Sequence, residues 1–124
     1  ELILVGKLGF SLDSSSVARS GTRYWKSVKL ALYNDWAEFV QRRKPLDDQM
    51  YFFEEDGSQS FYSPIYHPES YLVFGCESKG LPKAILESME HRTFALPMKN
   101  RTVKSLNLAN AATAVIYQAM RDYF

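Results

Sequence analysis

The sequence predicts an α/β fold with a mostly parallel sheet and flanking helices. Two observations predict it. Strand-like and helix-like segments alternate along the chain. In the C-terminal half each apolar run stops abruptly at Gly, Pro or Ser: Tyr71–Phe74 before Gly75, Thr93–Leu96 before Pro97, and a final helical pattern opening at Ser105. Such stops leave backbone groups at the carboxyl ends of strands, where open α/β sheets bind ligands. The stretch from Tyr71 to Phe124 is therefore where a ligand site is expected.

The chain in order supports this. Leu2–Val5 is a short buried strand, and Gly6–Ser11 a loop. Asp13 or Ser14 caps a short helix that ends before Gly21. Tyr24-Trp25 follows, serving either as a core or interface anchor or as a stacking surface for substrate. Val28–Tyr33 alternates as a strand does. Asn34 or Asp35 caps a helix running to about Arg43, with Trp36, Phe39 and Val40 on one apolar face. Arg42-Arg43-Lys44 places positive charge at that helix's C-terminus, or meets a phosphate.

Pro45–Asp48 is a turn, Gln49–Glu54 an aromatic strand, and Asp56-Gly57 a turn signal. A Ser-rich aromatic loop then runs to Pro68. Tyr71–Gly75 is the next strand, and Pro82 suits the first position of a helix over Lys83 to about Met89. Thr93–Leu96 is a strand. Ser105 opens the last helix, which runs to about Asp122 with Leu108, Ala112, Val115, Ile116, Ala119 and Tyr123 on one face. No repeat, linker or low-complexity segment interrupts the pattern.

Composition bounds the function. A chain of 124 residues, 46% apolar and 23% charged, suits one globular domain with its own core. A net charge of +1 gives no global field for a nucleic acid, so any RNA contact must come from local clusters. The single cysteine, Cys76, excludes an internal disulfide framework and suits a reducing compartment. No apolar run approaches the roughly 18 residues of a membrane span, and the residues given show no leader pattern. The sequence begins at Glu1 and enters an apolar run at once. From this we expect the natural protein to have residues before Glu1.

The chemistry read from residue types alone is modest. Gly75-x-Glu77-x-x-Gly80 lacks the lysine and spacing of a nucleotide phosphate loop. Ser105 caps a helix or, with Lys104, cradles an anion or carboxylate. His67 and His91 have no Cys, Asp or Glu at metal-ligand spacing, so no metal site is expected. No Ser-His-Asp arrangement is present.

Several segments together carry a family resemblance. They are Leu8–Asp13, Arg19-Ser20-Gly21 with Tyr24-Trp25, Phe74-Gly75-Cys76-Glu77-Ser78-Lys79-Gly80-Leu81-Pro82, Leu96-Pro97-Met98, and Ser105–Ala111 with Tyr117. In order and spacing they resemble the motifs of the SPOUT superfamily of S-adenosyl-L-methionine (AdoMet)-dependent RNA methyltransferases. Within it they resemble the minimal tRNA 2′-O-methyltransferases of wobble cytidine or uridine 34. The resemblance covers about Leu2 to the C-terminus.

It implies a single SPOUT methyltransferase domain over residues 1–124, with a deep C-terminal trefoil knot, a rare topology. It also implies a homodimer formed partly through the last helix, a cytoplasmic location, and transfer of a methyl group from AdoMet to a ribose 2′-hydroxyl in a tRNA anticodon loop. The implied cofactor-binding positions are Phe53, Gly75, Leu96, Ser105 and Leu106. On that reading Gly75 lets the backbone approach the ligand, and Phe53 and Leu96 flank the adenine. Asn107 is the implied catalytic candidate. Together with Asn110 it either orients the ribose or ties the knot loops.

Glu77 serves as a base or, structurally, as an acceptor for loop N–H groups. Arg19, Arg23, Lys99, Arg101 and Lys104 are the implied RNA-binding residues, with a solvated loop the alternative for Lys99. The family's first motif, an Asn and a catalytic Arg after its first strand, has no counterpart here. The expectation is that the first strand and helix lie before Glu1, and with them the Arg that assists proton removal, so the activity is expected of the parent protein. Lys104 stands where the family commonly has Arg, without the bidentate fork. Two other functions fit the motifs: 2′-O-methylation of rRNA or another tRNA site, and a non-catalytic knotted module that binds AdoMet or RNA.

Overall fold

In a computed structural model, residues 1–6, 25–99 and 106–124 are described. The expected helix between Asp13 and Gly21, and Tyr24, lie outside them. The chain divides into two compact units, Glu1–Lys44 and Pro45–Phe124.

In the first unit, β1 (Leu2–Val5) and β2 (Leu30–Tyr33) pair in parallel, from Leu2 opposite Leu30 to Val5 opposite Tyr33. Helix α1 (Trp36–Arg43) follows directly. Asp35 caps it, its carboxylate accepting the Glu38 N–H at 2.8 Å, while Glu38 accepts from the Asn34 N–H at 3.2 Å. These bonds satisfy donors the helix start would otherwise leave unpaired. The apolar face is narrower than expected: Phe39 is buried, Trp36 half-buried and Val40 exposed.

The helix ends with Lys44 in the left-handed region, at φ 48. Arg43 does more than complement the helix dipole. Its guanidinium forks onto the Glu1 carboxylate at 3.0 and 2.5 Å, and its Nε donates to the Tyr33 hydroxyl at 2.5 Å. The helix terminus is thereby fastened to both strands. The Arg43 hydrogen bond holds the Glu1 carboxyl below its ordinary value.

The second unit is built on a four-stranded sheet. Its strands are β3 (Met50–Phe53), β4 (Gln59–Ser60), β5 (Tyr71–Phe74) and β6 (Thr93–Ala95), in the order β4-β6-β3-β5, all parallel. Helix α2 (Lys83–Ser88) links β5 to β6, and α3 (Leu108–Met120) closes the chain. All four residues of β3 are buried. That is the pattern of a parallel strand covered on both faces. Tyr51, Phe53 and Phe94 form the core with Phe61 and Tyr66 from the β4–β5 connection and Val115 and Ala119 from α3.

Several details differ from the sequence reading. Pro82 stands at the cap position, one residue before α2. The Ser-rich loop contains β4, too short to produce an alternating pattern. The last helix opens at Leu108, not Ser105. Its cap is Asn107, whose side-chain oxygen accepts the N–H groups of Ala109 at 3.0 Å and Asn110 at 3.3 Å. One face of α3 is also misassigned: Val115 and Ala119 point inward, whereas Ile116 and Tyr123 are exposed.

Candidate functional site

The parallel register brings three strand ends level. Phe53 stands opposite Phe74 on one side and Phe94 on the other. The chain leaves the sheet there at Glu54, Gly75 and Leu96. These exits, with the start of α3, surround a cavity of about 530 Å³, within the range of small-molecule sites.

One wall is apolar: Phe53, Phe74, Leu96, Met98 and Leu106. Phe53 and Phe74 stack with ring centroids 5.0 Å apart, which fixes that wall. Among the described residues, the polar lining carries three carboxylates, Glu54, Glu55 and Glu77, and one ammonium, Lys79.

The loop after β5 forms the opposite rim. Gly80 N–H donates to the Cys76 carbonyl at 2.8 Å, closing a tight turn, and Gly80 sits at φ +67, where a side chain is disfavoured. Gly75 is required for a reason the sequence did not suggest. A Cβ there would fall onto the backbone of Gly80 and Leu81, so the glycine admits its own loop as well as any ligand. The Cys76 thiol is exposed on this loop, and the Lys79 N–H, followed by the Ser78 hydroxyl, holds it below its ordinary pKa.

Of the residues singled out from sequence, Phe53, Gly75, Leu96, Leu106 and Asn107 all line this one cavity. Ser105, Lys104, Arg101, Arg19 and Arg23 lie outside the described residues. Lys99 is exposed beyond β6 and does not line the cavity. Asn110 is exposed on the first turn of α3.

Glu77 is exposed, and among the described residues it accepts no loop N–H. That contact belongs to Glu54, whose Oε2 accepts from Leu81 N–H at 3.5 Å. Sequence reasoning missed Glu54 and Glu55, and it quoted Met98 in a motif without placing it in the site. The available signal was a pair of charges directly following four consecutive apolar residues.

His67 is a loop-structuring residue. Its Nδ1 accepts the Glu69 N–H at 2.9 Å, and its own N–H donates to the Tyr51 hydroxyl at 2.9 Å. Among the described residues no group of three His, Cys, Asp or Glu side chains is placed to hold a metal ion, and no helix is long and apolar enough to cross a membrane.

Comparison with known proteins decides the family. The model of the SpoU rRNA Methylase family matches residues 1–117, spanning both units. The chain belongs to this SpoU methylase family. A tRNA (cytidine(34)-2'-O)-methyltransferase of Burkholderia ambifaria is 34% identical over 98% of this chain and 78% of its own length. A structure solved for the 2-OH methylation of C/U34 on tRNA is 36% identical and superposes with a TM-score of 0.84, over 96% of this chain and 76% of that one. The SpoU methyltransferase AviRb of Streptomyces viridochromogenes, in complex with its cofactor AdoMet, is 28% identical with a TM-score of 0.75, over 97% of this chain and 48% of its own. The proteins this chain resembles thus include a SpoU methyltransferase crystallised with AdoMet and a relative named for 2'-O-methylation of tRNA cytidine 34.

Proposed function

We propose that this SpoU-family chain is an AdoMet-dependent methyltransferase acting on the ribose 2′-hydroxyl of the tRNA wobble nucleotide, cytidine or uridine 34. The observation that carries the reading is the cavity where three level strand ends meet the start of α3. The residues present fit AdoMet. Phe53, Leu96 and Leu106 offer an apolar wall for the adenine. The backbone near Gly75 and Leu96 offers donors and acceptors, and among the described lining residues the carboxylates outnumber the ammonium, which suits a cation.

When bound, AdoMet supplies a methyl group activated by a positive sulfonium. The chain must then hold a ribose hydroxyl in line and help to remove its proton. The Asn107 side-chain oxygen is committed to capping α3. We therefore assign its amide nitrogen to orienting the ribose rather than accepting its proton. Lys99, Arg101, Lys104, Arg19 and Arg23 are proposed to meet the phosphates of the anticodon loop. Ser105 completes the cofactor rim.

Both units are read as one methyltransferase domain whose C-terminal half carries the trefoil knot. The continuous family match supports the first point, and likeness to SpoU methyltransferase structures supports the second. The working form is proposed to be a cytoplasmic homodimer.

The test is incubation with methyl-labelled AdoMet and either bulk tRNA or rRNA, followed by nucleotide mapping. Label at the 2′-oxygen of nucleotide 34 is the expected result. Label in rRNA or at another tRNA position would move the substrate. Calorimetric binding of AdoMet with no transfer to any RNA would leave a non-catalytic module.

A further inference from the structure

We infer that Glu54 is a positioning residue for the cofactor loop, a role that rests on the AdoMet reading of the cavity. Three observations meet at its carboxylate. Glu54 is the first residue after the fully buried strand β3, and its backbone is fixed from both sides: its N–H donates to the Phe94 carbonyl and its carbonyl accepts from the Gly57 N–H, each at 3.1 Å. The side chain is half-buried and lines the cavity.

Its Oε2 accepts from Leu81 N–H at 3.5 Å, reaching from the end of β3 to the far limb of the Gly75–Leu81 loop. At Gly80 the carboxylate also lies close to where a side chain would begin, with Oε2 3.2 Å and Oε1 3.5 Å from the position of a Cβ. The loop is thus packed between two rigid features. On one side Gly75 abuts the Gly80–Leu81 backbone, and on the other Glu54 backs onto it.

Among the described residues, the other restraints on this loop are the burial of Leu81 and its internal contacts. Gly80 N–H to Cys76 carbonyl ties it internally at 2.8 Å. That bond sets the loop's shape but not its place over the sheet. The Glu54–Leu81 bond adds to the hold that the buried Leu81 side chain gives, because it ties the loop to β3, the most deeply buried strand of the second unit. At 3.5 Å the bond is long, so the effect expected of it is moderate. Bonds of this kind tighten when a ligand closes the site. The acceptor oxygen, not the charge, is what the geometry uses. Glutamine retains an oxygen at the same reach and alanine does not.

The experiment compares wild type, Glu54→Ala and Glu54→Gln by two readouts. Hydrogen exchange at the Gly80 and Leu81 amides, measured without cofactor, reports the clamp itself. Calorimetric titration with AdoMet reports its consequence. Exchange at Leu81 should accelerate about tenfold in Glu54→Ala and less than threefold in Glu54→Gln. AdoMet affinity should fall about five- to tenfold and about twofold respectively, with exchange across β3 unchanged in both.

Unchanged Leu81 exchange in Glu54→Ala overturns the clamp. Equal losses of affinity in the two variants overturn it as well, because charge and not the acceptor would then be acting. Accelerated exchange with wild-type affinity overturns the link to the cofactor. A wild-type chain that does not bind AdoMet overturns the cofactor reading, and the clamp's role falls with it.

Discussion

At the scale of single residues, Gly75 is the most constrained position in the site. A β-carbon there meets the backbone of Gly80 and Leu81, not the movable end of a side chain. Neither segment can yield cheaply, because Gly80 is held by the Cys76 carbonyl and Leu81 is buried. Even Gly75→Ala should therefore displace the loop. Overpacking of this kind costs about 1–3 kcal/mol. The expected outcome is a folded protein, destabilised by that amount in urea, whose AdoMet affinity is reduced at least tenfold by calorimetry. Wild-type affinity in a folded Gly75→Ala protein would remove the Gly75–Leu81 loop from the site. A glycine after an apolar run is visible in sequence, but the partner that demands it, five or six residues later, becomes visible only once the turn is closed.

At the scale of elements, the connection between β4 and β5 is the loop its Ser-rich composition suggested, but a packed one. Phe61 and Tyr66 are core residues. The Tyr66 hydroxyl donates to the Phe61 carbonyl at 2.6 Å, and the Tyr66 carbonyl accepts from the Tyr123 hydroxyl at 2.5 Å. The Tyr51 and Tyr66 rings lie 4.7 Å apart. Composition marked the turns of this segment but not its two inward aromatics, because nothing local distinguishes Phe61 and Tyr66 from Tyr62, which is exposed.

The same limit applied at α3. Ser105 and Asn107 are equally good caps on paper, and the residue that bonds the helix N–H groups is Asn107. The long, in-register elements were legible, since β1, β3, β5, β6 and α1 fall within two residues of their expected bounds.

The buried Tyr66 gives this element a pH signature. Burial, with a smaller contribution from Tyr51, pushes its phenol up to about 12, whereas an unfolded tyrosine titrates near pH 10. Between those values the unfolded chain loses its proton first. Stability contributed by the phenol is thus complete below about pH 10 and is lost as pH rises through about 12. Tyr66→Phe should flatten that alkaline decline in denaturant titrations and cost about 1 kcal/mol at neutral pH through the lost bond to Phe61. An alkaline slope that persists in Tyr66→Phe would assign it to another group.

At the scale of the whole molecule, the same helix that closes the site also leaves an apolar stripe uncovered. Val115 and Ala119 point into the core of the second unit. Ile116, Tyr117 and Phe124 do not, and Tyr117 is 73% and Phe124 95% exposed. Ala109 and Thr113, both exposed, continue the stripe toward the start of α3, and the Thr113 hydroxyl is turned back onto the Ala109 carbonyl at 2.8 Å. The stripe is therefore flat and small at one end and aromatic at the other, a form suited to close helix packing against a second copy.

Helical periodicity in the sequence identified an apolar helix but merged two faces. Ile116 was grouped with Val115 because both fit one broad stripe, and only the packing separates them. If the exposed face is the homodimer contact, Ile116→Arg buries an unpaired charge there while leaving the inward face untouched. Sedimentation should then give a dimer for the wild type and a monomer for Ile116→Arg, with thermal unfolding of the monomer shifted downward and concentration-independent. A wild-type chain that sediments as a monomer at tens of micromolar, or a variant that remains dimeric, would place the contact elsewhere or dismiss it.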